Sequence, residues 1–465
     1  MILTIPNVLI EIAKRVQSRG AKALVVGGAV RDSLLTIECE DWDIEVYNID
    51  TLDALSQVLS EFGGVNSVGK SFGVLKLKVD NYEFDFSLPR IEEKVGIGHK
   101  GFDVLLNSAL SYKEAAKRRD FTINAIGYDI LEDELIDPYS GREDLERKVL
   151  RIVDPDTFVE DPLRVYRAVG FAARFGLRLE DKTLRLCREM VASGMLRELA
   201  VERIWEEWRK MLLKSSAPSI GLELMRELGI LERYYPELNA LVGVAQNSEY
   251  HPEGDVWIHT MMSLDKMVEG LKEKSISDEK ERLKLLLAIL CHDLGKATTT
   301  KVTDGRIRSI GHEKAGLEPT KQLLYKLTNE HSFIDSILPL IEHHLKPTQL
   351  YLGGAKAAAI KRLAQKVKIT ELVMVAKADS LGRTTKEALS GEYKAGTWLL
   401  ERAKELNVSS KAIDNIVTGK ELIELGLSPS KEFKIILDDV YNKFIDEQLL
   451  TKEDAIEYIK EKYLA

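Results

Sequence analysis

Val25-Val26-Gly27-Gly28-Ala29-Val30-Arg31-Asp32, then Asp41-Trp42-Asp43, then Tyr82-Glu83-Phe84-Asp85-Phe86 decide how the first part of this chain folds. Lys22 to Val26 reads as a buried strand, and the glycine pair after it lets backbone N–H groups approach a polyphosphate where a Cβ would obstruct. A helix starting near Val30 directs its positive end at that anion. Asp41 and Asp43 lie two apart in an extended segment, so both carboxylates emerge on one face while Trp42 and Ile44 turn the other way. Asp85, in a second alternating run, brings a third carboxylate to the same place. Converging carboxylates repel unless cations sit between them. Two Mg²⁺ ions relieve this, one activating an attacking hydroxyl and one holding a triphosphate. Gly27, Gly28 and Arg31 are thus candidate nucleotide contacts. Asp41, Asp43 and Asp85 are candidate catalytic carboxylates, the first two as metal ligands.

Further along, Arg119 and Asp120 stand side by side before an apolar run, a cation for phosphate and an acceptor for a ribose hydroxyl. Asp161 and Arg164 are three residues apart in a segment that reads helical after Pro162, so they share a face and can address one base edge. The carboxylate accepts from the exocyclic amino group of cytosine or adenine, and the guanidinium donates to the neighbouring ring acceptor. Guanine and uracil present the opposite polarity and leave buried groups unpaired.

The order Gly-Gly-x-Val-Arg-Asp, Asp-x-Asp, then Arg118-Arg119-Asp120-Phe121-Thr122-Ile123-Asn124-Ala125 resembles the class II tRNA nucleotidyltransferases. That family builds the 3′-terminal CCA of tRNA and has bacterial poly(A) polymerases as close relatives. The likeness continues through Asp137-Pro138-Tyr139-Ser140-Gly141-Arg142 and Glu160-Asp161-Pro162-Leu163-Arg164-Val165-Tyr166-Arg167, roughly the first half of the chain. It implies an α+β multidomain protein: a polymerase-beta-like α/β nucleotidyltransferase head followed by all-helical parts. It further implies that Arg167 faces the triphosphate, and that tRNA, CTP and ATP are the partners. Two positions depart from the family: Gly170 stands where many relatives carry arginine, with Arg174 one turn later, and the third carboxylate lies in Phe84-Asp85-Phe86-Ser87-Leu88-Pro89-Arg90 rather than a Glu-bearing form. The polar segment from Arg90 to Arg118, with Gly96, Gly98 and Gly101, reads as a mobile loop. In the family a loop here helps the switch from C to A, and its full length favours complete CCA addition.

Seven of the eight histidines fall between His251 and His344. His259, the run Cys291-His292-Asp293-Leu294-Gly295-Lys296, Gly311-His312-Glu313, His343-His344 and Asp379 resemble the HD phosphohydrolase superfamily, an all-helical fold. The resemblance implies that His259, His292, Asp293 and Asp379 hold a divalent metal, with His312 and His343 near a second metal or the substrate phosphate. Imidazole suits transition metals such as Ni²⁺ or Mn²⁺ more than Mg²⁺, and the carboxylates keep the choice open. Lys296, one turn past the His-Asp pair, could meet a phosphate anion. Bacterial multifunctional CCA enzymes combine both halves, the HD part removing 2′,3′-cyclic or terminal phosphates from RNA and so restoring a free 3′-hydroxyl.

At 465 residues and 45% apolar content the chain holds several domains with ample cores. We expect a head over 1–150, a helical neck over 151–240, an HD body over 241–390 and a helical tail over 391–465. Helices are expected at Asn7 to Ser18 and Leu52 to Phe62, and beyond Asp154 no strand pattern is convincing. Three scattered cysteines make no framework, which fits a reducing cytosol. With no signal peptide and no membrane span expected, a cytoplasmic monomer or homodimer is the default. A net charge of −9 runs against RNA binding, but phosphate tracking needs only a local basic surface, for which the Arg-rich helices from Arg164 to Lys214 are candidates. Four alternatives remain at this stage: a poly(A) polymerase, an enzyme adding only CC or only A, a phosphohydrolase with an inactive head, and a non-catalytic RNA-binding scaffold.

Overall fold

A computed structural model describes residues 3–39, 41–68, 73–94 and 102–464. The chain forms two compact units, 1–234 and 235–465.

The first unit contains the strands β1 (Lys22–Val26), β2 (Trp42–Tyr47), β3 (Gly64–Val68), β4 (Val74–Val79), β5 (Tyr82–Ser87), β6 (Arg90–Lys94), β7 (Phe102–Leu106), β8 (Gly127–Asp129) and β9 (Glu134–Ile136). Seven of them make one mixed sheet in the order β3-β4-β5-β2-β1-β8-β9. Only β2 and β5 run parallel within it, and their register sets Asp43 beside Asp85. The helix Asn7–Gln17 buries Leu9, Ile12, Ala13 and Val16, an i, i+3, i+4, i+7 stripe that needs an apolar partner to stay folded. Leu52–Leu59 does the same with Leu55, Val58 and Leu59, and Thr51 caps it by accepting from the Ala54 N–H at 3.1 Å. Both helices sit within a few residues of where the sequence puts them.

The mobile loop expected between Arg90 and Arg118 is corrected where the structure describes it: β6 and β7 pair antiparallel with Arg90 opposite Leu106, and Tyr112–Ala116 is helical. Ladder pairing satisfies the backbone groups of the two strands, which polar composition alone does not reveal. Gly96, Gly98 and Gly101 lie outside the described residues. After residue 150 the first unit is helical. Leu163–Phe175 ends at Gly176 with φ +63°, a left-handed cap, and packs against Val201–Lys214, which buries Trp208, Met211 and Leu212.

The second unit is built round Val256–Glu273, Glu279–Cys291, His331–His343 and Ile369–Leu381. Glu279–Cys291 is buried on nearly every side from Leu285 onward, so it forms the centre of this bundle and delivers His292 at its end. The last helices, Gly419–Glu424, Lys431–Ile445 and Lys452–Tyr463, share a small separate core of Val417, Leu422, Ile436, Val440, Leu449, Ala455 and Ile459. The expectation of no strands beyond Asp154 is corrected twice. Arg178–Leu179 pairs with Val149–Leu150, and Lys301–Thr303 forms a hairpin with Arg306–Arg308. Asp304 and Gly305 have φ of 52° and 70°, the two positive values of a type I′ turn, and Asp-Gly is its preferred dipeptide. Among the described residues no helix is long and apolar enough to cross a membrane.

Candidate active sites

The first unit contains a cleft of about 500 Å³. Gly27, Gly28, Arg31, Asp41, Asp43, Arg119, Asp120, Asp161, Arg164 and Arg167 all line it, so the structure brings together ten residues spread over 141 positions. Gly27 has φ +74° and ψ −125°, which only glycine adopts readily, and a Cβ there would meet Arg119 Nη1 at 2.7 Å. The helix Gly28–Leu34 starts at once, two residues earlier than expected.

Asp43 opens onto the cleft from β2, with Trp42 and Ile44 buried behind it. The protein bulk around its carboxylate raises its pKa, and Asp85, Asp41 and Glu45 raise it further against the opposing pull of Arg119. Such mutual repulsion among hard oxygen donors is what a divalent cation relieves, so the set fits Mg²⁺. Asp85 stands outside the cleft lining, its carboxylate 3.1 Å from Lys76. Glu45, on the same strand face, pairs with Arg118 at 2.5 Å and accepts from the Tyr47 hydroxyl at 2.6 Å, and Arg118 and Arg119 lower its pKa although burial works the other way.

Asp120 is buried and accepts from Arg167 Nε at 2.7 Å and Asn124 Nδ2 at 2.9 Å. Burial alone would raise its pKa, but Arg167 and Asn124 hold it below the usual aspartate range. Arg31 is also buried, donating to Asn124 Oδ1 at 2.5 Å and stacking over the Phe171 and Phe175 rings. Asp161 and Arg164 share the cleft but do not touch one partner. Arg203 Nη2 lies 2.9 Å from Asp161, while Arg164 donates to the Thr157 and Arg118 carbonyls at 2.5 and 2.7 Å. Arg174, one turn after Gly170, reaches Asp32 at 3.2 Å and lines the same cleft.

Sequence reasoning named neither Asn124 nor Arg203 as site residues. Asn124 lay in a quoted motif, but Arg203 is 42 positions from Asp161 and only the fold joins them. With Arg118, Arg174, Lys210 and Lys214, the described lining holds nine cations against the five carboxylates of Asp41, Asp43, Asp120, Asp161 and Glu207. The wall is therefore positive although the chain is negative, which suits a triphosphate and a nucleic-acid end.

In the second unit four imidazoles converge. His292 Nδ1 faces the Ile289 carbonyl at 2.6 Å, His312 Nδ1 that of Ser309 at 2.7 Å and His344 Nδ1 that of Ile341 at 2.7 Å. Each ring donates Nδ1–H to that oxygen, which leaves the Nε2 lone pair aimed inward. His259 Nδ1 likewise faces Glu253 at 2.9 Å. The Nε2 atoms gather round two carboxylates. His292 and His259 lie 3.2 and 3.9 Å from Asp293 Oδ2, and His259 lies 3.1 Å from Asp379 Oδ1. On the other side His312 lies 3.3 Å from Asp293 Oδ1 and 3.3 Å from His344 Nε2. His292 Nε2 and both Asp293 oxygens are buried without an aligned hydrogen bond, the state expected of ligands awaiting a cation. Two donor groups, His259-His292-Asp293 and Asp293-His312-His344, share Asp293, and their imidazole and carboxylate donors fit divalent ions. Burial, then the neighbouring His292, pushes His344 down to about 3, so this ring is neutral and able to coordinate. Burial would raise Asp293 and Asp379, but His292 and Lys296 beside the first and Arg383 and His259 beside the second keep both ionised.

His343, expected at this centre, is corrected to His344. Consecutive helical residues point about 100° apart, so only one of the pair faces the cluster, and His343 Nδ1 is buried elsewhere without a partner. Lys296 does not extend toward an open phosphate site, since its ammonium lies 2.7 Å from Asp293 and 2.8 Å from Gln246. Glu253 and His251, 2.9 Å apart, were missed because nothing in Tyr250-His251-Pro252-Glu253 marks a site without the fold.

Three family models match this chain: the poly A polymerase head domain over 23–151, the probable RNA and SrmB-binding site of polymerase A over 176–241, and the HD domain over 256–384. The multifunctional CCA protein of Pasteurella multocida (strain Pm70) is 36% identical over 398 residues, covering 83% of this chain and 90% of that protein. That of Methylobacillus flagellatus is 38% identical over 370 residues, covering 77% and 84%. Among solved structures, the Bacillus stearothermophilus CCA-adding enzyme in complex with CTP matches with a TM-score of 0.64 at 21% identity, over 98% of this chain and 96% of that one. The Thermotoga maritima CCA-adding enzyme complexed with tRNA matches with a TM-score of 0.60 at 20% identity, over 97% and 94%. Those two speak for the fold, whereas the curated relatives, matched over most of the chain, decide the family. The chain belongs to the multifunctional CCA proteins, tRNA nucleotidyltransferases that carry an HD domain.

Proposed function

We propose that the first unit adds CCA to the 3′ end of tRNA from CTP and ATP without a nucleic-acid template. The observation that carries this is a positive cleft that Asp41, Asp43, Asp161 and Arg164 all line. Asp41 and Asp43 would hold Mg²⁺, which when bound lowers the pKa of the tRNA 3′-hydroxyl and screens the triphosphate. The hydroxyl oxygen attacks the α-phosphorus in line, one P–O bond forms, the bond to the β-phosphate bridge breaks and pyrophosphate leaves. Arg119 and Arg167 bind the polyphosphate, and Gly27 and Gly28 admit it close to the backbone. Asp120 holds Arg167 in place and can accept from a ribose hydroxyl. Asp161 and Arg164 read the base once Arg164 exchanges its carbonyl partners for the ring, and Arg203 fixes the carboxylate meanwhile. Asp85, paired with Lys76, supports Asp43 from the neighbouring strand.

The second unit is a metal-dependent phosphohydrolase acting on 2′,3′-cyclic or terminal phosphates of RNA. His259, His292, Asp293 and Asp379 would hold one divalent transition ion such as Ni²⁺ or Mn²⁺, and Asp293, His312 and His344 a second, supplying an activated water. In our reading the head spans 1–150, the neck 151–240, the HD body 241–390 and the tail 391–465, in a cytoplasmic protein whose three cysteines are free.

The deciding experiment supplies tRNA lacking CCA with CTP, ATP or both and sequences the products. Ordered C, C, A addition is expected. Incorporation of ATP alone in long runs would mark a poly(A) polymerase, and products that stop after CC, or that need CC already present, would mark a partial enzyme. Asp161→Ala should lose the choice of nucleotide, while His292→Ala should still polymerise but no longer dephosphorylate.

A further inference from the structure

Neither reaction above uses the hairpin of residues 301–308. Its register sets Lys301 opposite Arg308, Val302 opposite Ile307 and Thr303 opposite Arg306. Side chains alternate along a strand, so Lys301, Thr303, Arg306 and Arg308 rise from one face, and Val302 and Ile307 from the other. Three cations therefore crowd one face, two of them directly opposed, a placement that weakens strand pairing unless an anion covers it. All three are exposed, and among the described residues none lies within ion-pair distance of a carboxylate.

The hairpin is fastened to the histidine centre at its base. Thr300 Oγ1 and Ser309 Oγ are 2.7 Å apart where the strands close, and the Ser309 carbonyl takes the Nδ1–H of His312 at 2.7 Å. Beyond it Ile310 is 79% exposed, an apolar side chain set between the cationic strand and that histidine. The ligand set is almost wholly buried, so the bulk of a polymeric substrate has to be held by surface outside it.

We infer that the Lys301, Arg306 and Arg308 face binds the sugar-phosphate backbone of a single-stranded RNA end and delivers its terminal phosphate to the His-Asp centre. This rests on the hydrolase reading given under Proposed function, and it adds the element that selects a polymer over a mononucleotide.

The test uses the full chain loaded with Mn²⁺, as wild type and as the triple variant Lys301→Ala, Arg306→Ala, Arg308→Ala, matched for metal content and Tm. Substrates are a short oligoribonucleotide ending in a 2′,3′-cyclic phosphate and the mononucleotide 2′,3′-cyclic AMP. The variant should raise KM for the oligonucleotide about tenfold or more at low salt. It should also flatten the log–log salt dependence by about 2, since each single-strand phosphate contact contributes about 0.7. Cyclic AMP hydrolysis and CCA addition should stay within twofold, and Arg306→Lys with Arg308→Lys should behave as wild type. A parallel fall on both substrates, no change on either, or competition by polyglutamate as strong as by RNA would overturn the inference. A photo-crosslinking residue at position 310, probed with an uncleavable phosphorothioate RNA, reads binding without turnover. Crosslinking that the triple variant abolishes, in a protein that hydrolyses neither substrate, would uphold the surface and sink only the hydrolase reading. An active hydrolase with no crosslink would sink only the surface.

Discussion

Asp43 and Asp85 stand side by side in neighbouring strands, with Asp41 one step along, so the ionised set repels itself until a cation arrives. Asp43→Asn should therefore cut nucleotide incorporation by about a thousandfold, while raising Tm in chelator-treated protein by roughly 2–4 °C per kcal/mol of repulsion removed. Incorporation assays and calorimetry with EDTA check both halves, and a lower Tm would contradict the repulsion argument. Asp120 is the opposite case, a buried carboxylate that its partners stabilise in the charged form. Asp120→Ala leaves Arg167 unpaired and should cost about 3 kcal/mol by urea unfolding, the low end for a broken buried pair because Arg167 reaches solvent. Because the folded pKa is lowered, that contribution is whole above the ordinary aspartate value near 4 and disappears as pH falls below it toward the shifted value. The two proteins should thus converge in stability in acid.

At the scale of elements, Gly382 lets two ligand-bearing helices touch. A Cβ there would lie 2.1 Å from Ser263 Oγ and 2.7 Å from Ser263 Cα, wedging Ile369–Leu381, which carries Asp379, off Val256–Glu273, which carries His259. Gly382→Ala should cost about 1–3 kcal/mol and remove phosphohydrolase activity while CCA addition persists. Strands and helices with a full pattern were legible in the sequence: β2 and β5 alternate over six residues, β1 is a short buried apolar run, and Asn7–Gln17 shows an unbroken stripe. The hairpin at 301–308 was not, because three-residue strands fall below the length at which alternation is distinctive, although Asp304-Gly305 marked its turn. Adjacent histidines such as His343 and His344 cannot be told apart without helical phase. Asp161 with Arg203, and Glu253 with His259, meet only through packing of segments that local pattern does not link.

For the molecule as a whole, two compact units with unrelated donor sets imply separable responses. Mn²⁺ at about 100 times its Kd contributes about 2.7 kcal/mol to the form that binds it, so the second unit's melting transition should rise by roughly 5–10 °C in calorimetry. His344→Ala should abolish that rise and His343→Ala should not. The carboxylate-bearing cleft adds a consequence of its own. The chain carries nine excess negative charges, yet the cleft wall carries four more cations than anions among its described residues. A polyanion at this wall is therefore held by a field that added salt screens, so its capture there should slow steeply as ionic strength climbs.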